Sequence, residues 1–202
     1  TQCGVPTGQP KFPLLTYQEL PDPATPSDKE WAAVTTTQVS WGTTDVRYAK
    51  HGLPRLKNQQ TIALKGWRGE RVNAQAVVWT GVELKDLNFS FGDFKDKKGN
   101  VLPQDAFTGG FVRYVMTDEL NKDGRGACGH RKSIDYDSLL VADPIDTSLK
   151  AMALPARTVQ PVWVQCWIPQ SAVPGTYKGE LLINDGSRLL QRLNLEITVS
   201  SR

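Results

Sequence analysis

The sequence predicts an all-β protein: an antiparallel β-sandwich preceded by an extended, proline-rich N-terminal segment. Three observations predict this fold. Many short stretches alternate apolar and polar residues, turn-forming residues separate them, and no helical periodicity recurs. The clearest alternation lies in residues 192–199, where four branched apolar residues alternate with four polar ones. Such alternation places one row of side chains in a core and the other row in solvent.

The composition sets limits on the partners of the chain. Of its 202 residues, 39% are hydrophobic and 22% are charged, which is enough apolar material for a full core. The formal net charge is +3 and comes without a Lys/Arg cluster, so we expect no nucleic-acid partner. No apolar run approaches the roughly 20 residues that a membrane-spanning helix needs, so we expect no membrane span.

The N-terminal 30 residues are rich in proline, which fixes φ and removes backbone donors. We therefore expect residues 1–30 to run extended over the surface and residues 31–202 to form the sandwich domain. One short helix is predicted, with Ser27 or Asp28 as its N-cap and residues 29–34 as its body.

The strands follow in order, each bounded by turn residues such as Gly, Asn and Asp. Residues 184–187 join the last two strands in a hairpin. The strand segments are Val46–Ala49, Leu87–Phe91, Val101–Leu102 after a turn at 96–100, Phe111–Met116, Tyr177–Ile183 and residues 192–199.

Residues 66–79 combine a turn, a charged cluster and a strand. In the strand, Val72 and Val78 mark the face predicted to be buried, and the intervening polar residues mark the other face. The cluster consists of Arg68, Glu70 and Arg71. Two interpretations stay open for it: an exposed ion-pair network at the turn, or a partly buried contact with another domain.

Two tryptophans in the strand predicted around residue 165 share one face. Trp163 and Trp167 oppose the face of Val162, Val164 and Cys166. Three interpretations are open: a sheet buried on both faces, contact with a neighbouring domain, or a platform on which a sugar ring stacks.

Two other tryptophans, Trp67 and Trp79, are expected in the core or at a sheet edge.

The cysteines and histidines do not form a recognisable site. Cys166 is predicted to be a buried free thiol, and we do not expect a Cys128–Cys166 disulfide. Cys128 and His130 make half of a zinc site at most, so we predict no metal and no cofactor. Cys3 is a candidate for lipid attachment.

Three pairs of segments carry a resemblance to a known family: Val39–Tyr48 with Trp67–Arg71, Phe111–Val115 with Asp143–Asp146, and Gln160–Val164 with Val173–Gly179. In this order they resemble the N-terminal β-sandwich domain of glycoside hydrolase family 123 and related bacterial proteins of unassigned function. In that family the sandwich precedes a (β/α)₈ barrel that carries the chemistry.

The resemblance implies that the whole protein is an exo-acting β-N-acetylgalactosaminidase that uses an adjacent Asp-Glu pair in its barrel. It also implies a periplasmic or extracellular location. This chain contains an adjacent pair, Asp118-Glu119, but we interpret it as part of a solvated turn, and Asp135 and Asp137 as polar loop residues.

The resulting function hypothesis is a non-catalytic accessory domain that supports the barrel of the same polypeptide. Trp163, Trp167, Arg68, Glu70 and Arg71 are its candidate contacts with the barrel or with a glycan. The alternatives are a carbohydrate-binding module that uses exposed tryptophans and a sandwich that binds protein partners.

Overall fold

The computed structural model describes residues 19–117 and 139–201. Two β-sheets pack against each other, as predicted, and regular helix is confined to one short α-helix and one 3₁₀ turn in these residues. The elements are α1 (Asp28–Trp31), β1 (Thr37–Gly42), β2 (Thr61–Gly66), β3 (Arg71–Thr80), β4 (Leu84–Phe91), β5 (Phe94–Lys95), β6 (Val101–Leu102), the 3₁₀ turn Gln104–Ala106, β7 (Phe107–Thr117), β8 (Leu139–Asp146), β9 (Ala151–Leu154), β10 (Thr158–Trp167), β11 (Gly175–Asp185) and β12 (Arg188–Val199).

The first sheet has the strand order β1-β3-β10-β7-β8, and every neighbouring pair is antiparallel. At its centre β3 and β10 pair without interruption from Thr80 opposite Thr158 to Arg71 opposite Trp167. This pairing aligns the buried face that the sequence predicted in β3 with Val162, Val164 and Cys166 of β10.

The second sheet has the order β2-β12-β11-β4-β9, with the small β5–β6 hairpin attached to β11. The β11–β12 hairpin and the turn at 96–100 are confirmed. One pair departs from the antiparallel prediction, because β2 runs parallel to β12. The loop after β1 crosses from the first sheet to the second, so β2 enters its sheet without a hairpin that would fix its direction.

The main core lies between the two sheets and is formed by their inward-facing rows. Its members include Ala74, Ala76 and Val78 of β3, Phe94, Phe107 and Phe111, and Leu193, Leu195, Ile197 and Val199 of β12. A hydrogen bond also joins the layers: the buried Trp41 indole of β1 donates to the carbonyl of Asn194 in β12 at 2.9 Å. A buried indole N–H needs such a partner.

The predicted strand at Val46–Ala49 is wrong. This segment is a loop that covers the outer face of the first sheet, where Tyr48 packs with Trp31, Val77 and Val159. The buried Gln75 side chain donates to the carbonyl of Thr43 at 2.8 Å and to that of Val46 at 3.1 Å. Backbone groups that a strand would have paired are thus satisfied by a side chain.

The predicted helix is present but shorter than expected, ending at Trp31. Ser27 caps it, accepting from the backbone N–H of Glu30, and the buried Trp31 indole donates to the carbonyl of His51. The tertiary contact of Trp31 fixes the helix against the loop after β1. A single turn of helix is stable only with packing of this kind.

A glycine in β11 tests how tightly the core is packed. A Cβ at Gly179 would lie 2.5 Å from the ring of Phe94, which is fully buried and stacks on Phe107. Gly179→Ala is expected to lower the free energy of unfolding by about 1–3 kcal/mol, because overpacking displaces the rings. Gly92→Ala is the matched control, since its nearest neighbours lie at 3.7 Å. Urea denaturation measures both, and equal stability of the two variants would contradict this packing.

Cys166 provides a second test, on the burial of the inner face of β10. Burial raises the pKa of its thiol to about 12 from 9.0. Since the unfolded thiol ionises first, stability is unaffected below about pH 9 and falls as pH rises from about 9 toward 12. In the Cys3→Ser Cys128→Ser variant, alkylation by iodoacetamide at pH 8 should be negligible in buffer and rapid in denaturant. Comparable rates in both conditions would show that Cys166 is exposed.

Candidate functional site

The candidate site begins with the turn between β2 and β3, residues Trp67 to Glu70. The backbone N–H of Glu70 donates to the carbonyl of Trp67 at 3.1 Å, and Gly69 has φ +81°, the left-handed conformation that glycine adopts without strain. The Glu70 carboxylate accepts from the backbone N–H of Trp67 at 2.7 Å. Glu70 therefore stabilises the turn itself.

The charged cluster is not an ion-pair network. None of the ion pairs between described residues joins two of Arg68, Glu70 and Arg71. Arg71 instead lies over the indole of Trp167, with its guanidinium carbon 4.8 Å from the ring centroid. The two residues are direct partners in the β3–β10 pairing, which places them side by side on the outer face.

The Trp167 indole is held in one orientation but remains open to solvent. Its Nε1 donates to the carbonyl of Gly69 at 3.1 Å, while the side chain is 55% exposed. Its neighbour Ile168 is fully buried, and its backbone pairs with Gly69 and Glu70. The end of β10 and the Trp67–Glu70 turn thus form one rigid unit.

Trp163 shares the face of Trp167 but not its environment. It is partly buried and packs against a cluster on the outer face of the first sheet formed by Val112, Tyr114, Leu140 and Ala142. The two tryptophans, which the sequence places on one face, therefore differ in their exposure to solvent. Trp163 lies in a partly buried region of the outer face of the first sheet, and Trp167 lies in an exposed region of the same face.

Trp67 also differs from the prediction. It was expected in the core or at a sheet edge, and its side chain is 60% exposed at the tip of the turn. Trp79 is partly buried and packs against the cluster of Trp31, Tyr48, Val77 and Val159, as the sequence predicted. Trp67 stands on a tight turn, where its side chain stays in contact with solvent.

A cavity of about 310 Å³ opens beside Trp167. The described residues that line it are Gly69, Asp105, Ala106, Trp167, Pro169 and Gln170. Only Asp105 among them carries a carboxyl group. An aromatic ring next to a carboxylate and an amide is an arrangement that can bind a polar ring such as a sugar.

Further exposed apolar residues lie at the same end of the sandwich, which we call the Trp67 end: the end where β2, β10 and β12 finish and β3, β7 and β11 begin. Val173 precedes β11, and Val101 lies in the hairpin attached to that strand. Both are about half exposed. Sequence reasoning did not select them, because a lone valine near a turn carries no signal of exposure.

Several sequence candidates cannot be placed. Asp118, Glu119, Cys128, His130, Asp135 and Asp137 lie outside the described residues, as does Cys3. Within residues 19–117 and 139–201, no three His, Cys, Asp or Glu side chains form a metal-binding group. The same residues contain no helix with the length and hydropathy needed to cross a membrane. The Nδ1 of His51 donates a hydrogen bond to the carbonyl of Arg157 at 3.0 Å, and its Nε2 lies 3.6 Å from the carboxylate of Asp22.

The chain is similar in structure to a family 123 glycoside hydrolase from Clostridium perfringens, an enzyme whose structural analysis concerns the hydrolysis of glycolipid glycans. The TM-score is 0.66 at 19% identity, and the match covers 82% of this chain and 27% of that enzyme. The chain thus spans about a quarter of the enzyme's length.

Other solved structures are less similar. The adhesin CfaE of enterotoxigenic Escherichia coli matches with a TM-score of 0.37 at 13% identity, covering 83% of this chain and 49% of the adhesin. The N-terminal domain of PorA matches with a TM-score of 0.36 at 7% identity, covering 81% of this chain and 98% of that domain. These two likenesses carry no inference about function. No curated protein matches the chain.

The family comparison covers most of the sandwich. The model of the glycoside hydrolase 123 N-terminal domain matches residues 41–185, from β1 to the end of β11. These residues include the Trp67–Glu70 turn, the β3–β10 pair and the cavity beside Trp167. The chain belongs to the glycoside hydrolase 123 N-terminal domain family.

Proposed function

We propose that this chain is a non-catalytic accessory sandwich that supports a C-terminal (β/α)₈ catalytic barrel of the same polypeptide. The observation that carries the proposal is the family match over residues 41–185, together with the 27% share of a family 123 enzyme that the chain covers. The whole protein is then a glycoside hydrolase, with exo-β-N-acetylgalactosaminidase activity as its proposed reaction.

The geometry of the cavity beside Trp167 supports a non-catalytic role. The reaction that the family resemblance implies uses an adjacent Asp-Glu pair, and most other glycoside hydrolases likewise use two carboxyl groups. The described lining of this cavity offers one, Asp105. Asp105 itself is an exposed residue of the 3₁₀ turn before β7.

A second candidate function is glycan binding at the same cavity. The observation that favours it is the fixed, exposed indole of Trp167 next to the Asp105 carboxylate and the Gln170 amide. Arg71 occupies one side of the indole, from the direction of β3, and the cavity-lining Ala106 and Asp105 approach from the direction of β7. A sandwich that binds other protein partners is the remaining alternative.

Two further elements of the proposal concern boundaries and location. We assign residues 31–202 to the sandwich and residues 1–30 to an extended N-terminal segment; in the described part of that segment, Glu19 pairs with Lys50 and the Asp22 carboxylate lies 3.6 Å from His51. A periplasmic or extracellular location, with lipid attachment at Cys3 as one form of it, stays a prediction that fractionation of the source cells tests.

The first prediction concerns turnover. The 202-residue chain should not hydrolyse an aryl β-N-acetylgalactosaminide, whereas the polypeptide with its proposed barrel should. Release of the aryl group, followed by absorbance, measures both. Turnover by the short chain that disappears in Asp105→Asn would assign the chemistry to the sandwich and contradict the proposal.

The second prediction concerns glycans. Calorimetric titration of the 202-residue chain with glycans that carry terminal N-acetylgalactosamine should give no saturable binding up to about 1 mM, a threshold of roughly −4 kcal/mol. The matched variants are Trp167→Ala, within the cavity, and Trp67→Ala, outside it. Binding that is lost in the first and kept in the second would establish the glycan-binding alternative.

A further inference from the structure

We propose that the Trp67 end of the sandwich is the surface on which the catalytic barrel of the same polypeptide docks, with Trp67 and Trp167 as its apolar anchors. This inference rests on the proposed function and adds to it the surface that the partner covers.

Exposed apolar side chains form a group at the Trp67 end. Nine large hydrophobic residues in the described part of the chain are exposed, and four of them lie at or beside the Trp67 end: Trp67 at 60%, Trp167 at 55%, Val101 at 51% and Val173 at 46%. Both exposed tryptophans of the described residues are in this group. Scattered apolar residues need no explanation, but a group with two indoles is typical of an interface core.

These side chains stand on backbone that is held in place by hydrogen bonds. Glu70 closes the turn of Trp67, the carbonyl of Gly69 and the guanidinium of Arg71 hold Trp167, and the Tyr177 hydroxyl donates to the carbonyl of Val173 at 2.7 Å. A surface already ordered in the free domain loses little conformational entropy when a partner binds. This arrangement favours docking of a rigid domain.

The path of the chain also leads to this end. The last strand finishes at this end, where Val199 pairs with Gly66 and the backbone N–H of Ser200 donates to the carbonyl of Gly66 at 2.9 Å. A polypeptide that continues beyond Ser201 therefore starts next to Trp67. A short connection gives the following domain a high effective concentration at this surface, so even a modest apolar contact is occupied.

The outer faces of the two sheets differ from the Trp67 end. The outer face of the second sheet carries exposed ion pairs, Lys178 with Glu196 and Arg192 with Glu180, which is typical of a solvated face. The outer face of the first sheet is partly covered by the loop after β1. The Trp67 end combines apolar area with the exposed guanidinium groups of Arg68 and Arg71, so we expect the barrel to present apolar side chains with a carboxylate beside them.

The test is hydroxyl-radical footprinting, with oxidation located by mass spectrometry. The 202-residue chain is compared with the complete polypeptide that contains the barrel. Oxidation of Trp67 and Trp167 should be at least several-fold slower in the complete polypeptide. Val82 and Leu189, exposed at the opposite end of the sandwich, are internal controls whose rates should stay equal.

A second measurement uses only the complete polypeptide. The Trp67→Ala Trp167→Ala variant should be cleaved between sandwich and barrel by a trace of protease roughly tenfold faster than the unaltered protein, because loss of two interface anchors opens the junction. The Val82→Ser Leu189→Ser variant is the matched control and should be cleaved at the unaltered rate.

The outcomes separate this inference from the proposed function. Protection of both indoles with faster cleavage of the first variant supports docking at the Trp67 end. Equal oxidation rates in a two-domain hydrolase contradict the docking surface alone. A gene that encodes no barrel contradicts the proposed function, and the docking inference with it. Saturable glycan binding at Trp167 in the complete polypeptide contradicts docking there.

Discussion

The antiparallel pairing of β3 with β10 is the constraint on which the rest of the structure depends. Its uninterrupted register aligns Ala74 with Val164 and Ala76 with Val162, and so fixes one wall of the core. The same register sets Arg71 directly opposite Trp167 on the outer face. A slip of one residue would turn the inner rows outward and separate the guanidinium from the indole, since side chains alternate between faces. Core and candidate surface are therefore two sides of one strand pair.

The outer face of the first sheet is divided between burial and exposure, and this division decides which aromatic residues are available to a partner. Near the end of β3, Val77 and Val159 of β10 lie under Tyr48 and Trp31, which the loop after β1 and the short helix supply. Toward the start of β3 no such cover lies on Arg71 and Trp167, and both stay in contact with solvent. The polar Gln75 marks the border: its side chain holds the covering loop in place through backbone carbonyls.

Much of the fold could be predicted from local patterns, because alternation and turn chemistry act over a few residues. The β11–β12 hairpin, the inner face of β3 and the buried Cys166 are of this kind. What local patterns could not decide depends on distant parts of the chain. Trp163 and Trp167 have the same parity, yet only Trp163 meets a hydrophobic cluster from β7 and β8. Val46–Ala49 has the composition of a strand but is held by Gln75, and the parallel partner of β2 comes from the last strand.

The parallel alignment of β2 with β12 has a consequence for synthesis on the ribosome. Asn194 faces Thr61 across this pair, and β12 lies inside its sheet, between β2 and β11. Until β12 leaves the exit tunnel, β2 lacks the strand with which it pairs, and the second layer has a gap between β2 and β11. The nascent sandwich must therefore stay partly folded until β12 has been made, and during that interval chaperones have access to its apolar rows. When β12 arrives, it closes the second layer and brings Val199 beside Gly66.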